Sequence, residues 1–138
     1  MTRDATEMAQ ACADAMWADD KASRTMGMQI EKVGPGFCVL SMNIRVDMVN
    51  GHGLCHGGYI FSLADSALAF ACNSHNQRHG AQQCQIAYLA PLLAEARERY
   101  RGERSGIYDV TVRTEAGETI AEFRGHSRSI PGVLVPEA

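Results

Sequence analysis

One carboxylate inside an otherwise apolar run marks where this chain could do chemistry. From Tyr59 to Cys72 the sequence carries Ile60, Phe61, Leu63, Ala64, Ala67, Leu68, Ala69, Phe70 and Ala71, and its sole charge is Asp65. Burying a carboxylate costs free energy unless the group is paired or hydrogen-bonded. Asp65 is therefore a structural aspartate held by Ser62 or Ser66, a group at a wet subunit interface, or a general base or nucleophile. Just upstream runs Asn50-Gly51-His52-Gly53-Leu54-Cys55-His56-Gly57-Gly58. A helix starting at Gly57 and Gly58 would present unpaired N–H groups at its positive dipole end, a seat for an anion or an oxyanion. Glycine there lets a ligand approach the backbone closely. A plain tight turn feeding a helix would carry the same pair.

Taken together the two features say more. Gly57 and Asp65 are eight residues apart, roughly 12 Å along a continuous helix. One carbonyl cannot be polarised by the Gly57 N–H and attacked from Asp65 of the same helix. If both act on one substrate they come from two chains, which predicts a homo-oligomer with sites between subunits. Two other groupings carry less. His52 and His56, with Asp65 as a third ligand, could hold a metal, but they sit in a glycine-rich loop rather than on one helical face. Catalytic zinc takes three convergent ligands, so no metal is expected; His56, beside Gly57, is placed to orient the loop. Cys55 with a histidine base would be a thiol nucleophile, yet it precedes the helix instead of opening it.

The elements that must position these groups follow from periodicity. Asp4 and Glu7 form a capping-box spacing, and Met8, Cys12, Ala15 and Met16 recur helically, predicting a helix over about 4–18. Met26 to Val33 reads as a strand, Gly34-Pro35-Gly36 as a turn, and Phe37 to Arg45 as an alternating strand. The apolar run is a helix buried on nearly every side. Beyond a polar loop, strands are predicted over 82–90, 94–101, 106–114 and 119–130, with a loose tail after Pro131. The pattern is α+β: an antiparallel sheet wrapped around one long buried helix.

Composition narrows the function classes. The 138 residues fit one domain, with 46% hydrophobic and 21% charged content and a net charge of −3. That balance gives no basic footprint for nucleic acid, and no apolar run reaches the length of about 20 residues that spans a bilayer. The five cysteines are odd in number and scattered, which favours reduced thiols, and the N-terminus reads as no signal peptide. A cytoplasmic protein is expected.

The stretch from Asn50 to Asp65, continued through Ser66-Ala67-Leu68-Ala69-Phe70-Ala71-Cys72-Asn73-Ser74, closely resembles the hotdog thioesterases of the phenylacetic acid degradation type, often called PaaI. Tyr88-Leu89-Ala90-Pro91, Gly106-Ile107-Tyr108-Asp109-Val110 and Phe123-Arg124-Gly125-His126-Ser127 extend the likeness over nearly the whole chain. The resemblance implies a single hotdog domain over 1–138 that hydrolyses aryl-acyl-CoA, such as phenylacetyl- or hydroxyphenylacetyl-CoA, without a cofactor. It implies a homodimer or homotetramer with active sites between subunits. It assigns the carboxylate role to Asp65 and carbonyl polarisation to the Gly57 N–H, with Asn50 and His56 shaping the site and Gly58 beside the substrate. Between Pro91 and Gly106 this chain is about six residues shorter than that family's pattern. Arg97, Arg99 and Arg101 would alternate onto one strand face, and Arg124 is the better candidate for CoA phosphates. Two other readings stay open: a non-catalytic acyl-CoA-binding module, and a hotdog hydratase or dehydratase acting on enoyl or 3-hydroxyacyl thioesters.

Overall fold

The computed structural model describes residues 2–89 and 94–136. Helix α1, Ala5–Asp19, opens on the expected capping box: Glu7 N donates to Asp4 at 2.8 Å and Asp4 N to the Glu7 carboxylate at 2.9 Å. Asp20 then caps a five-residue helix, α2, Lys21–Thr25, too short to carry a readable period. Strands β1, Met28–Gly34, and β2, Phe37–Met42, meet at a turn whose Gly36 has φ +66°, a left-handed conformation suited to glycine. β2 ends three residues earlier than expected. Beyond it the Arg45 guanidinium bonds Asp47 and the Thr25 carbonyl, and Val46–Met48 coils into a 3-10 turn.

Helix α3 spans Gly57–Cys72, and then come β3, His79–Tyr88, β4, Ala94–Arg101, β5, Ser105–Arg113, and β6, Thr119–Ser129. The strands form one antiparallel sheet in the order β1-β2-β4-β5-β6-β3. α3 packs against all six, as expected for a sheet wrapped around a long buried helix. Among the described residues, no helix is long and apolar enough to cross a membrane.

Small residues let helix and sheet close. Leu63, Ala64 and Ala67 of α3 are fully buried, and Phe61 meets Phe123 edge-on at 5.4 Å. Gly125 of β6 leaves the hollow that takes Leu68: a Cβ there would lie 2.5 Å from Leu68 Cδ2. Polar side chains tie down the far end of α3. Asn73 donates to the Ala69 and His79 carbonyls and accepts from His79 N, while Ser74 joins the Ala71 carbonyl to Gly36 N.

Two expectations need correction. The tail after Pro131 is not loose. Asn76, at φ +57°, accepts from Leu134 N and Val135 N and donates to the Val135 carbonyl, and Val135 is buried. Nor do Arg97, Arg99 and Arg101 share a face. A bulge between Glu98 and Tyr100 reverses the alternation, so Arg97 pairs with Asp109 but Arg101 with Gly106. Ala90 and Pro91, and with them the start of the shortened segment, lie outside the described residues.

Gly125→Val should overpack the Leu68 hollow and lower stability by about 1–3 kcal/mol. Adding Leu68→Ala should recover part of that loss in thermal melts; additive effects would mean the two positions do not share the space.

Candidate active site

Which donor is free at the start of α3 can be read from its hydrogen bonds. A helix leaves its first four N–H groups without intrahelical partners. Here Gly58 N donates to His56 Nδ1 at 2.9 Å, and Tyr59 N and Ile60 N both donate to the His56 carbonyl. Gly57 N has no acceptor among the described residues. His56 is thus the N-cap, with an extended backbone (φ −59°, ψ 133°) and a ring nitrogen in the place a Ser or Asp oxygen usually takes. That nitrogen must be unprotonated to accept, so in the neutral ring Nε2 carries the hydrogen. One donor remains, at the positive end of a 16-residue helix.

That N–H stands at a cavity of about 510 Å³ lined by Asn50, Leu54, Cys55, Gly57, Ile60, Tyr88 and Leu89. Its walls are mostly apolar, with Asn50 and Tyr88 as the polar exceptions. Asn50 folds its own loop: its side-chain oxygen accepts from His52 N at 2.9 Å and Leu54 N at 3.2 Å, and Asn50 N bonds the Leu54 carbonyl. Tyr88 arrives from the end of β3 and donates its hydroxyl to the Gly57 carbonyl at 3.1 Å. Sequence reasoning gave Tyr88 no role. The alternation of Cys84, Ile86 and Tyr88 along β3 was the signal that places it on the helix side of the sheet.

Asp65 lies two turns further along the same unbroken helix, half-buried, and does not line that cavity. Neither neighbouring serine holds it. Ser62 donates to the Gly58 carbonyl, and Ser66 is bonded to Ser23. Among the described residues no group donates a hydrogen bond to its carboxylate. Burial raises the Asp65 carboxyl above its ordinary value, and its charge in turn adds to the burial that raises the Cys84 and Cys72 thiols.

The remaining candidates separate. Gly58 cannot offer its N–H to a ligand while His56 holds it; a Cβ there would sit 3.1 Å from His56 Nδ1. Arg124 is not brought to the cavity. It is exposed on the sheet face opposite the buried Phe123 and Gly125 and donates two hydrogen bonds to the Asp109 carboxylate, at 2.6 and 2.9 Å. Cys55 is buried, bonds the His56 carbonyl through its thiol and has its pKa raised by burial, so it stays a thiol rather than the thiolate a nucleophile needs. No three His, Cys, Asp or Glu side chains converge to hold a metal among the described residues.

Residues 52–121 match the model of the thioesterase superfamily. The acyl-coenzyme A thioesterase PaaI of Escherichia coli K12 is 39% identical over 132 residues, 91% of this chain and 94% of that protein. The structure of the E. coli PaaI protein superposes with a TM-score of 0.92 at 38% identity, covering 94% of this chain and 99% of that one. A mutant of the phenylacetic acid degradation protein PaaI from Thermus thermophilus gives 0.77 at 31% identity, covering 80% and 100%. A six-stranded antiparallel sheet around one buried helix, with relatives matched over most of both chains, places this hotdog-fold chain in the thioesterase superfamily.

Proposed function

We propose that the chain hydrolyses acyl-CoA thioesters to the free acid and CoA, with each site built from Gly57 of one subunit and Asp65 of the partner subunit. The observation that carries this reading is the one N–H of the first turn left unclaimed among the described residues, at Gly57, opening on a mostly apolar cavity, with a carboxylate that no described residue pairs fixed roughly 12 Å away on the same helix. The thioester carbonyl takes the Gly57 hydrogen bond, which strengthens as negative charge develops on oxygen. The carboxylate opposite either removes a proton from water, whose oxygen then attacks the carbonyl carbon, or attacks that carbon itself and is later released by water. In both routes the C–S bond breaks, the sulfur leaves as CoA thiolate, and the thiolate takes up a proton that the attacking water releases, on attacking the thioester in the first route and the anhydride in the second. Desolvation, which raises Asp65, suits either role by making the carboxylate more basic than a solvated one.

The edge of the sheet supports the pairing. β1 carries Glu31 and Lys32 along its length, whereas β3 from Gly80 to Tyr88 has no charged residue and no proline. Charges and prolines are what usually keep edge strands from pairing. A two-fold axis beside β3 would set the α3 helices of two subunits side by side, bringing each Asp65 toward the other's Gly57. The apolar walls and volume of the cavity, together with the aromatic Tyr88, suit an arylacetyl group. A larger groove of about 820 Å³, beside β1, β2 and the Thr114–Ala116 turn, presents Glu31 and Glu115 and is poorly suited to polyanionic CoA.

Asp65→Asn should keep its fold and lose at least about 100-fold in kcat with phenylacetyl-CoA, followed by release of free thiol. Near-normal turnover would make Asp65 structural. A pure binding module would release no thiol, and a hydratase would change the acyl chain while leaving the thioester intact. Because the folded-state pKa of Asp65 is raised, its contribution to stability is full below the unfolded carboxylate value and is lost as pH rises through the folded value. At pH 7 the Asn variant should therefore melt no lower than wild type. In activity the sign is opposite: turnover needs the ionised form, so the acid limb should fall at a pH above the usual carboxylate range.

Dialysis against a strong chelator should leave activity intact. A loss restored by zinc would return His52 and His56 to the site.

A further inference from the structure

We propose that Tyr88 is a positioning residue for hydrolysis, aiming the Gly57 N–H through a hydrogen bond to the Gly57 carbonyl. This inference rests on the reading of Gly57 as the oxyanion donor. Two glycines in succession make the first turn of α3 the least conformationally restrained point of the helix, yet it must hold a donor in a fixed direction. The peptide unit joining Gly57 to Gly58 is clamped at both ends by side chains. Its carbonyl accepts from the Tyr88 hydroxyl at 3.1 Å, and its N–H donates to His56 Nδ1 at 2.9 Å. The preceding unit, which carries the Gly57 N–H, is held by its own carbonyl, since His56 O accepts from Tyr59 N and Ile60 N. With both flanking peptides fixed, the direction of the free N–H is fixed too.

The Tyr88 backbone is anchored in the sheet. It pairs with Ala121 of β6, and the next residue donates Leu89 N to the Ile120 carbonyl. The ring lies so close that a Cβ at position 57 would sit 3.1–3.3 Å from its atoms. Gly57 fits closely beneath this ring, and its backbone makes no demand for glycine, because its φ is not positive. The β3 strand, and through it the sheet, reaches the reacting centre by this one side chain.

Tyr88→Phe tests the proposal, since it keeps the ring and removes only the hydroxyl. It should lower kcat by about twofold to tenfold, the effect of one net hydrogen bond, while KM changes little. A donor aimed at the carbonyl oxygen acts alike on every thioester, so the factor should be the same for phenylacetyl-CoA and butyryl-CoA. The midpoint of the acid limb should stay in place, because Asp65 lies on the far side of the site. Unchanged kcat would overturn the proposal. So would an effect confined to KM or to one acyl group, which would make Tyr88 a pocket wall, or a displaced acid limb, which would signal a general disturbance. Asp65→Asn measured alongside separates the two levels. If Asp65→Asn stays active, the reading of the site fails; if it is inactive and Tyr88→Phe equals wild type, only this inference fails.

Discussion

The proposed site depends on one helix that packs against the whole sheet and carries two groups it cannot itself bring together. α3 is continuous from Gly57 to Cys72, so the free N–H at its start and the carboxylate two turns on keep a fixed separation. Contacts with all six strands prevent the helix from bending to close that gap. A rigid spacing too long for one reaction centre becomes useful when a second copy runs alongside. In the proposed dimer, antiparallel pairing of two such helices would match donor to carboxylate twice, giving two sites per pair.

In the proposed site, one property of Asp65, its burial, underlies both its cost and its use. Desolvation without a hydrogen-bond donor raises its pKa, which costs folding stability at neutral pH and leaves the carboxylate with unused capacity to accept a proton or attack. The helix around it is packed closely enough to carry that cost, through Leu63, Ala64 and Ala67 at full burial and Leu68 seated over Gly125. The N-terminal turn follows the opposite logic. There, among the described residues, the histidine cap claims the other donors and leaves the Gly57 N–H open.

Much of the fold was legible in the sequence because the strongest signals were local. A lone Asp in an apolar helix, a glycine pair at its start and a capping box before α1 are one-dimensional patterns, and each stands in the element the pattern put it in. The eight-residue interval between Gly57 and Asp65 is itself a one-dimensional pattern, and the unbroken α3 preserves it. What was not legible depended on contacts between distant segments. The Tyr88–Gly57 bond joins residues 31 apart, and the Asn76 clasp on the tail joins residues nearly 60 apart. The β4 bulge that separates Arg101 from Arg97 adds a residue no alternation rule anticipates. Arg124 looked available for phosphate only because its partner Asp109 lies on a neighbouring strand.

Complementation between two inactive variants tests the central claim most directly. His56 is already extended, as a residue before proline must be, and Gly57 sits at the first helical position, so Gly57→Pro removes the N–H with little change to the helix. Tyr88 is half-exposed and can give the few tenths of an ångström the ring of proline needs. Gly57→Pro and Asp65→Ala should each be nearly inactive alone. Unfolded together and refolded, they should form about half mixed dimers, each with one site carrying both defects and one carrying neither, restoring roughly a quarter of wild-type activity. Mixed dimers that are folded, verified and still inactive would show that Gly57 and Asp65 do not meet on one substrate across the interface.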